Sequence, residues 1–159
     1  MGTWSGEPFG NDEAADWAWE LDGADDWDIV RTALRDVIDG DHDAPDADAA
    51  TLAIAAAEVV AHHRGRPTQS DSYTESVSSF VSRVSEPPAD MVAVALTALD
   101  IATAPGGELA ELWSDDDEEW RGATDRLREA LSLPAIAAPV SGGSRKAPRW
   151  RWGAKKTST

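Results

Sequence analysis

The sequence contains no cysteine, which excludes a disulfide-stabilised fold, a thiolate metal site and a cysteine nucleophile. Long apolar runs are also missing. The longest one, from Met91 to Leu99, is interrupted by Thr97 and is far shorter than the roughly 20 residues of a membrane-spanning helix. The first 20 residues hold no Lys or Arg, so they lack the positive start of a secretory signal. We therefore expect a soluble cytoplasmic protein.

Basic residues are scarce and unevenly placed. All 30 acidic residues lie in residues 1–132, together with eight arginines and no lysine, which gives this segment a formal charge of −22. Residues 133–159 hold six basic residues and no acidic one. Three prolines and a Ser-Gly-Gly-Ser run also interrupt this second segment. We predict an acidic domain over 1–132 and a disordered, basic, Pro/Gly/Ser-rich tail over 133–159.

Apolar residues recur at helical spacing through the acidic segment, and no alternating run indicates a strand. The helix from Asp90 to Thr103 is the most apolar, so we expect it to be central and mostly buried. Ser72 and Ser114 are the predicted capping residues of the helices that follow them. The predicted helices begin near Asn11, Asp25, Pro45, Ser72, Asp90, Gly107 and Ser114. The sequence thus predicts an all-α, single-domain bundle of six or seven short helices.

The N-terminal pattern resembles the signature of a bacterial family named domain of unknown function 4259. The residues that carry the resemblance are Gly2, Thr3, Trp4, Phe9, Asn11 and Asp12. Two later stretches, 95–100 and 111–128, are similar to the family's central and closing helices, so the resemblance covers about residues 2–132. It implies a small helical domain from bacteria, and it brings no established activity or catalytic residue.

The physical chemistry of this N-terminal pattern favours a structural role. Trp4 and Phe9 are expected to anchor the start of the chain to the bundle, and Asn11 is expected to cap the first helix. The alternative is a binding surface that presents Trp4, Phe9, Asn11 and Asp12 together.

An acidic loop precedes the third predicted helix and resembles the start of a calcium-binding loop. Its aspartates are Asp39, Asp41, Asp43, Asp46 and Asp48. Ala44 occupies the position that needs glycine for the sharp turn, and Ala50 stands where a bidentate Glu should complete the coordination shell. We therefore predict a solvated loop that caps the third helix, with no bound metal.

Histidines and one central carboxylate are the other candidates for chemistry. Glu58 and His62 share a helical face, but two ligands are too few for a zinc site, so a structural role is expected for His62 and His63. The alternative is a metal-dependent or acid–base enzyme that uses clustered carboxylates with His62 or His63. No cofactor is predicted. Asp100 is predicted to be a buried acid paired with Arg121, because burial of an unpaired carboxylate is costly. The alternative is a pocket acid with a perturbed pKa.

The charge excludes nucleic-acid binding by the acidic domain, because phosphate contacts need clustered basic residues. We hypothesise a non-enzymatic interaction protein, similar in role to an immunity protein or antitoxin, whose acidic surface binds a basic protein. The acids expected to carry this binding are Asp25, Asp26, Asp28, Asp115, Asp116 and Asp117. Residues 145–156 interleave Arg, Lys and Trp, so this tail segment either contacts an anionic surface or is held loosely by the acidic domain.

Overall fold

The computed structural model describes residues 5–135, and these residues form one helical bundle that contains no strand. Its helices are α1 (Asp12–Leu21), α2 (Asp28–Asp39), α3 (Ala47–His63), α4 (Glu75–Arg83), α5 (Met91–Ala102), α6 (Glu108–Leu112) and α7 (Asp117–Ser132). Single 3-10 turns, Ser72–Thr74 and Ser114–Asp116, precede α4 and α7. The predicted all-α architecture is confirmed, with seven α-helices in the described part of the chain.

The centre of the bundle is α3, which packs against each of the other six helices. Every residue from 53 to 61 is buried, and most of them are alanines, whose small side chains let neighbouring helices approach closely. In α5 the residues Ala93, Thr97 and Asp100 face solvent. The prediction that the Asp90–Thr103 helix is the central, mostly buried one is therefore wrong, because its least apolar face is left uncovered.

Local capping explains where several helices begin. The Asn11 side chain accepts a hydrogen bond from the Ala14 amide at 2.8 Å, as predicted for the cap of α1. Asp46 caps α3 in the same way, accepting from the Ala49 amide at 3.1 Å.

Two predicted caps are wrong. The capping box before α4 joins Asp71 to Thr74, one residue earlier than the predicted box that begins at Ser72. Ser114 lies in a 3-10 turn, so α7 begins at Asp117, two residues later than a helix capped by Ser114 would, and it has no side-chain cap.

The N-terminal loop is tied down before α1 begins. The Ser5 amide donates to the Gly10 carbonyl at 3.1 Å, and Phe9 is fully buried with its ring 6.4 Å from that of Trp17. A Cβ added at Gly6 would lie 3.0 Å from the Trp120 Cα, so this close approach of two backbone segments favours glycine. Phe9 therefore anchors the loop, whereas Gly2, Thr3 and Trp4 lie outside the described residues.

The end of the described chain lies against the C-terminus of α3. Gly65 follows α3 with a φ of 75°, in the left-handed region that favours glycine. Beyond α7, Arg64 donates to the Leu133 carbonyl and Arg66 donates to the Pro134 carbonyl at 2.7 Å. The remainder of the predicted tail, including residues 145–156, lies outside the described residues. None of the helices between residues 5 and 135 is long and apolar enough to cross a membrane.

Candidate functional site

The buried carboxylate of this domain is Glu58, in the middle of α3. Its side chain is fully buried and accepts hydrogen bonds from the Thr68 amide at 2.8 Å, the Thr68 hydroxyl at 2.6 Å and the Gln69 amide at 2.9 Å. These bonds hold the loop after α3 against the helix. A buried charge is tolerated when several donors surround it, and Glu58 meets that requirement.

His62 completes this arrangement one helical turn later. Its Nε2 lies 3.1 Å from a Glu58 carboxylate oxygen and 3.0 Å from the Gln69 carbonyl. Both neighbours are acceptors, so Nε2 carries a proton. The Gln69 side chain accepts from the Phe9 amide at 2.8 Å and donates to Asp71 at 3.1 Å. We call Glu58, His62, Thr68 and Gln69 the buried clasp. It joins α3 to both the following loop and the N-terminal loop.

The remaining histidines also have structural contacts. His63 packs edge-on against Trp27, with ring centroids 5.5 Å apart. His42 is hydrogen-bonded to the Ile38 carbonyl at the end of α2. No group of three or more His, Asp or Glu side chains in residues 5–135 is arranged to hold a metal ion. The histidines proposed for an enzyme thus lie in packing contacts and in the buried clasp.

The prediction of a buried Asp100 paired with Arg121 is wrong on both points. Asp100 has 67% of its side chain exposed and pairs with Arg128 at 3.0 Å. Arg121 instead pairs with Asp117 at 2.9 Å and stacks over Trp120. Asp100 lies on the solvent-exposed face of α5, where Arg128 from α7 can reach it.

The six aspartates nominated for partner binding are all exposed. Asp26 accepts a hydrogen bond from the Asp28 amide at 3.0 Å, which helps to start α2. Asp115 and Asp116 form the 3-10 turn before α7. The two groups stand at the starts of two different helices, α2 and α7, and Asp117 is paired with Arg121.

Seven of the eight arginines of the acidic domain are engaged within the fold, and the eighth, Arg126, is exposed. Four of them form five ion pairs: Arg31–Asp90, Arg35–Asp39, Arg121–Asp117, Arg128–Asp100 and Arg128–Asp125. Three more, Arg64, Arg66 and Arg83, donate to backbone carbonyls. The cations therefore neutralise only a minority of the acids.

The pKa values of two glutamates, Glu13 and Glu7, are raised by burial and by neighbouring carboxylates. Burial, followed by the carboxylates of Asp48, Asp16 and Asp46, raises the pKa of Glu13 at the start of α1. Like charges thus meet where α1 lies beside the start of α3.

Burial also raises the pKa of Glu7. The carboxylate of Asp71 raises it further, and Glu119 adds to the effect, whereas Arg126 opposes it. The negative potential is therefore present at the N-terminal loop as well as at α1.

A cleft of about 330 Å³ lies between α1 on one side and α4 with its preceding 3-10 turn on the other. One wall is formed by Ala15, Ala18, Trp19 and Asp22, and the other by Ser72, Tyr73, Glu75, Ser76 and Ser79. Trp19 is 72% exposed and Tyr73 is 50% exposed. This cleft was not predicted from the sequence. The sequence pattern that could have indicated it is Trp19, which follows the buried Trp17 by two residues and therefore lies on a different face of α1.

Comparison with known protein families matches residues 2–123 to a family model described as Domain of unknown function (DUF4259). The chain belongs to the DUF4259 family. The match runs from the N-terminal loop into α7, and it confirms the resemblance inferred from the sequence. No curated protein and no solved structure matches the chain. DUF4259 membership brings no activity with it, so the function has to be inferred from the residues.

Proposed function

We propose that this domain is a non-enzymatic interaction protein whose acidic surface binds a basic protein. The observation that supports this most directly is the internal use of its arginines. Seven of the eight pair with aspartates or hold backbone carbonyls. The acids of the α2 and α7 starts remain exposed, and of the six nominated aspartates only Asp117 is paired with an arginine in the described chain. The surface thus presents a large negative charge to solvent. Such a charge accelerates association with a basic protein and repels nucleic acid.

The placement of some acids supports a role outside the fold. Glu20 lies in the last turn of α1 and Asp22 caps its C-terminus, and that turn contains no basic residue. Asp36 lies in the last turn of α2, which also has none. Negative side chains near a helix C-terminus oppose the helix dipole. Helix stability therefore does not account for these acids, whereas attraction of a cationic partner does.

The role that fits these features is neutralisation of a basic protein, as an immunity protein or antitoxin performs it. Electrostatic steering would make the encounter fast, and exposed carboxylates would mask the partner's basic surface.

Affinity capture with the full-length chain from its native host, followed by mass spectrometry, tests this proposal. The matched baits are the wild type, Asp115→Asn/Asp116→Asn/Asp117→Asn and Asp25→Asn/Asp26→Asn/Asp28→Asn. We expect one basic protein to be enriched by the wild type and depleted with at least one triple variant. With that protein purified, calorimetry should show an affinity that falls steeply as salt rises.

Capture of only generic cationic proteins, such as ribosomal proteins, in equal amounts by all three baits would contradict the proposal. The charge would then serve solubility alone.

A further inference from the structure

We propose that the cleft between α1 and α4 binds an arginine side chain from an extended segment of a basic protein. This inference rests on the proposed function and names the site at which the basic partner is recognised. A volume of about 330 Å³ is at the small end of the range for ligand pockets, and it accommodates one long side chain with the adjoining backbone.

Two exposed aromatic rings belong to this cleft. Trp19 and Tyr73 are the only exposed large aromatic side chains among residues 5–135, and both line it. The two exposed large aliphatic side chains, Leu112 and Leu133, lie elsewhere. An exposed indole leaves a large apolar surface in water, which is the usual property of a binding residue rather than of a core residue.

The charge of the cleft is negative. Asp22 and Glu75 line it, and no lysine or arginine does so within the described chain. The Ser76 hydroxyl donates to Asp22 Oδ2 at 3.1 Å, which connects the two walls and orients the carboxylate. Arg83 is near the end of α1, but its guanidinium donates to the Leu21 and Ala24 carbonyls. An incoming cation is therefore favoured here.

Arginine is the side chain that uses all these features together. Its planar guanidinium stacks on an indole, and it pairs with a carboxylate through two parallel hydrogen bonds. The hydroxyls of Ser72 and Ser79 on the second wall can accept its remaining N–H groups. Lysine has a compact charge and no flat surface, so we expect it to bind more weakly.

The test is a titration of the 15N-labelled full-length chain with a blocked hexapeptide of alternating arginine and glycine, followed by NMR. The Trp19 indole N–H signal is assigned from its loss in Trp19→Phe. We expect this signal and the Tyr73 amide signal to shift and saturate. The matched peptide in which citrulline replaces arginine keeps the shape and loses the charge, and it should leave both signals in place.

Variants then separate the cleft from the general charge of the surface. Trp19→Ala should weaken peptide binding by about ten-fold, whereas Leu112→Ala, which truncates an equally exposed apolar side chain on α6, should not change it. Glu75→Gln should weaken binding, and Glu86→Gln, which removes a charge from an exposed loop, should have little effect. Trp19 and Glu75 are exposed, so these variants are expected to fold.

Three outcomes would overturn the inference in different ways. If the peptide binds and only Asp115→Asn/Asp116→Asn/Asp117→Asn weakens it, the acidic surface binds a basic partner but the cleft is not the site. If no arginine peptide binds, the cleft is not an arginine site, and the proposed function is then decided by the affinity capture alone. If Arg149→Gln/Arg151→Gln shifts the Trp19 signal without peptide, the occupant is this chain's own C-terminal segment and not a partner.

Discussion

Glu58 is a carboxylate held inside the bundle by four hydrogen-bond donors from His62, Thr68 and Gln69. Its position in α3 makes it a fixed point to which the following loop attaches. Through Gln69 the same network reaches the Phe9 amide, so one side chain on the central helix orders two loops. Hydrogen bonds to a buried charge are stronger than those between neutral groups, and loss of one partner leaves the others unsatisfied.

Glu58→Gln is therefore expected to lower the free energy of unfolding by about 3 kcal/mol. The amide presents N–H groups to neighbours that are themselves donors, so the shape is kept while an acceptor is lost. Urea denaturation measures the change. Glu129→Gln, the same replacement at an exposed position of α7, should change it by less than about 0.5 kcal/mol. Equal stabilities of the two variants would show that the buried clasp contributes nothing.

Because the pKa of Glu7 is raised in the folded state, Glu7 makes the free energy of unfolding depend on pH. In the folded state this carboxyl binds a proton more readily than it does in the unfolded chain, where its pKa is near the ordinary 4.5. Its contribution to stability therefore grows as pH falls from neutral through the raised pKa towards 4.5, and it is lost as pH rises again.

Thermal melting at a series of pH values should show this rise in melting temperature. Glu7→Gln should melt higher than the wild type at neutral pH and show a smaller rise on acidification. Glu86→Gln, which removes a charge from an exposed loop, should keep the wild-type rise. A Glu7→Gln variant that retains the full rise would mean that other groups produce the pH dependence.

Of the features predicted from the sequence, the cap of α1 is confirmed, whereas the caps at Ser72 and Ser114 and the burial of Asp100 are wrong. Asn11 as a cap follows from side-chain chemistry within three residues of the chain. The exposure of Asp100 does not, because it depends on which face of α5 meets α2 and α3. The burial of Glu58 could have been predicted from the sequence, because Glu58 is the only charged residue in the apolar run from Ala53 to Ala61. A lone charge inside an alanine-rich helix indicated a buried acid more strongly than Asp100 did.

At the level of the helices, the central position of α3 depends on side-chain size as well as hydropathy. Its alanines let six other helices approach from different sides. In α5 only Met91, Ala95, Ala98, Leu99 and Ala102 are buried, and Ala93, Thr97 and Asp100 are exposed. Helical period predicted both helices. It did not show which one the others surround, because that depends on contacts with segments distant in sequence.

A pair of matched replacements tests the central position of α3. Ala57→Leu inserts three carbons at a fully buried site, and overpacking should lower the free energy of unfolding by about 1–3 kcal/mol. Ala93→Leu inserts the same carbons on the exposed face of α5 and should change it by no more than about 0.5 kcal/mol. Urea denaturation of the two variants measures both values. If Ala93→Leu lowered the free energy of unfolding more than Ala57→Leu does, the central helix would be α5 and not α3.

For the whole molecule, the dominant feature is the excess of acids over arginines in residues 1–132. The ion pairs found are mostly exposed, and exposed pairs contribute little to stability. Self-repulsion of the remaining carboxylates opposes compactness. We therefore infer that the core around α3 stabilises the bundle, and we propose that the surface charge serves to attract a partner.

The melting temperature of the full chain as a function of sodium chloride tests this claim most directly. Between roughly 0.02 and 0.5 M salt, screening shortens the range of charge interactions from beyond 20 Å to about 4 Å. If most acids lack internal compensation, the melting temperature should rise across this range, and it should rise less for Asp115→Asn/Asp116→Asn/Asp117→Asn. A melting temperature that falls as salt is added would contradict the account, because the surface charges would then stabilise the fold through their own ion pairs.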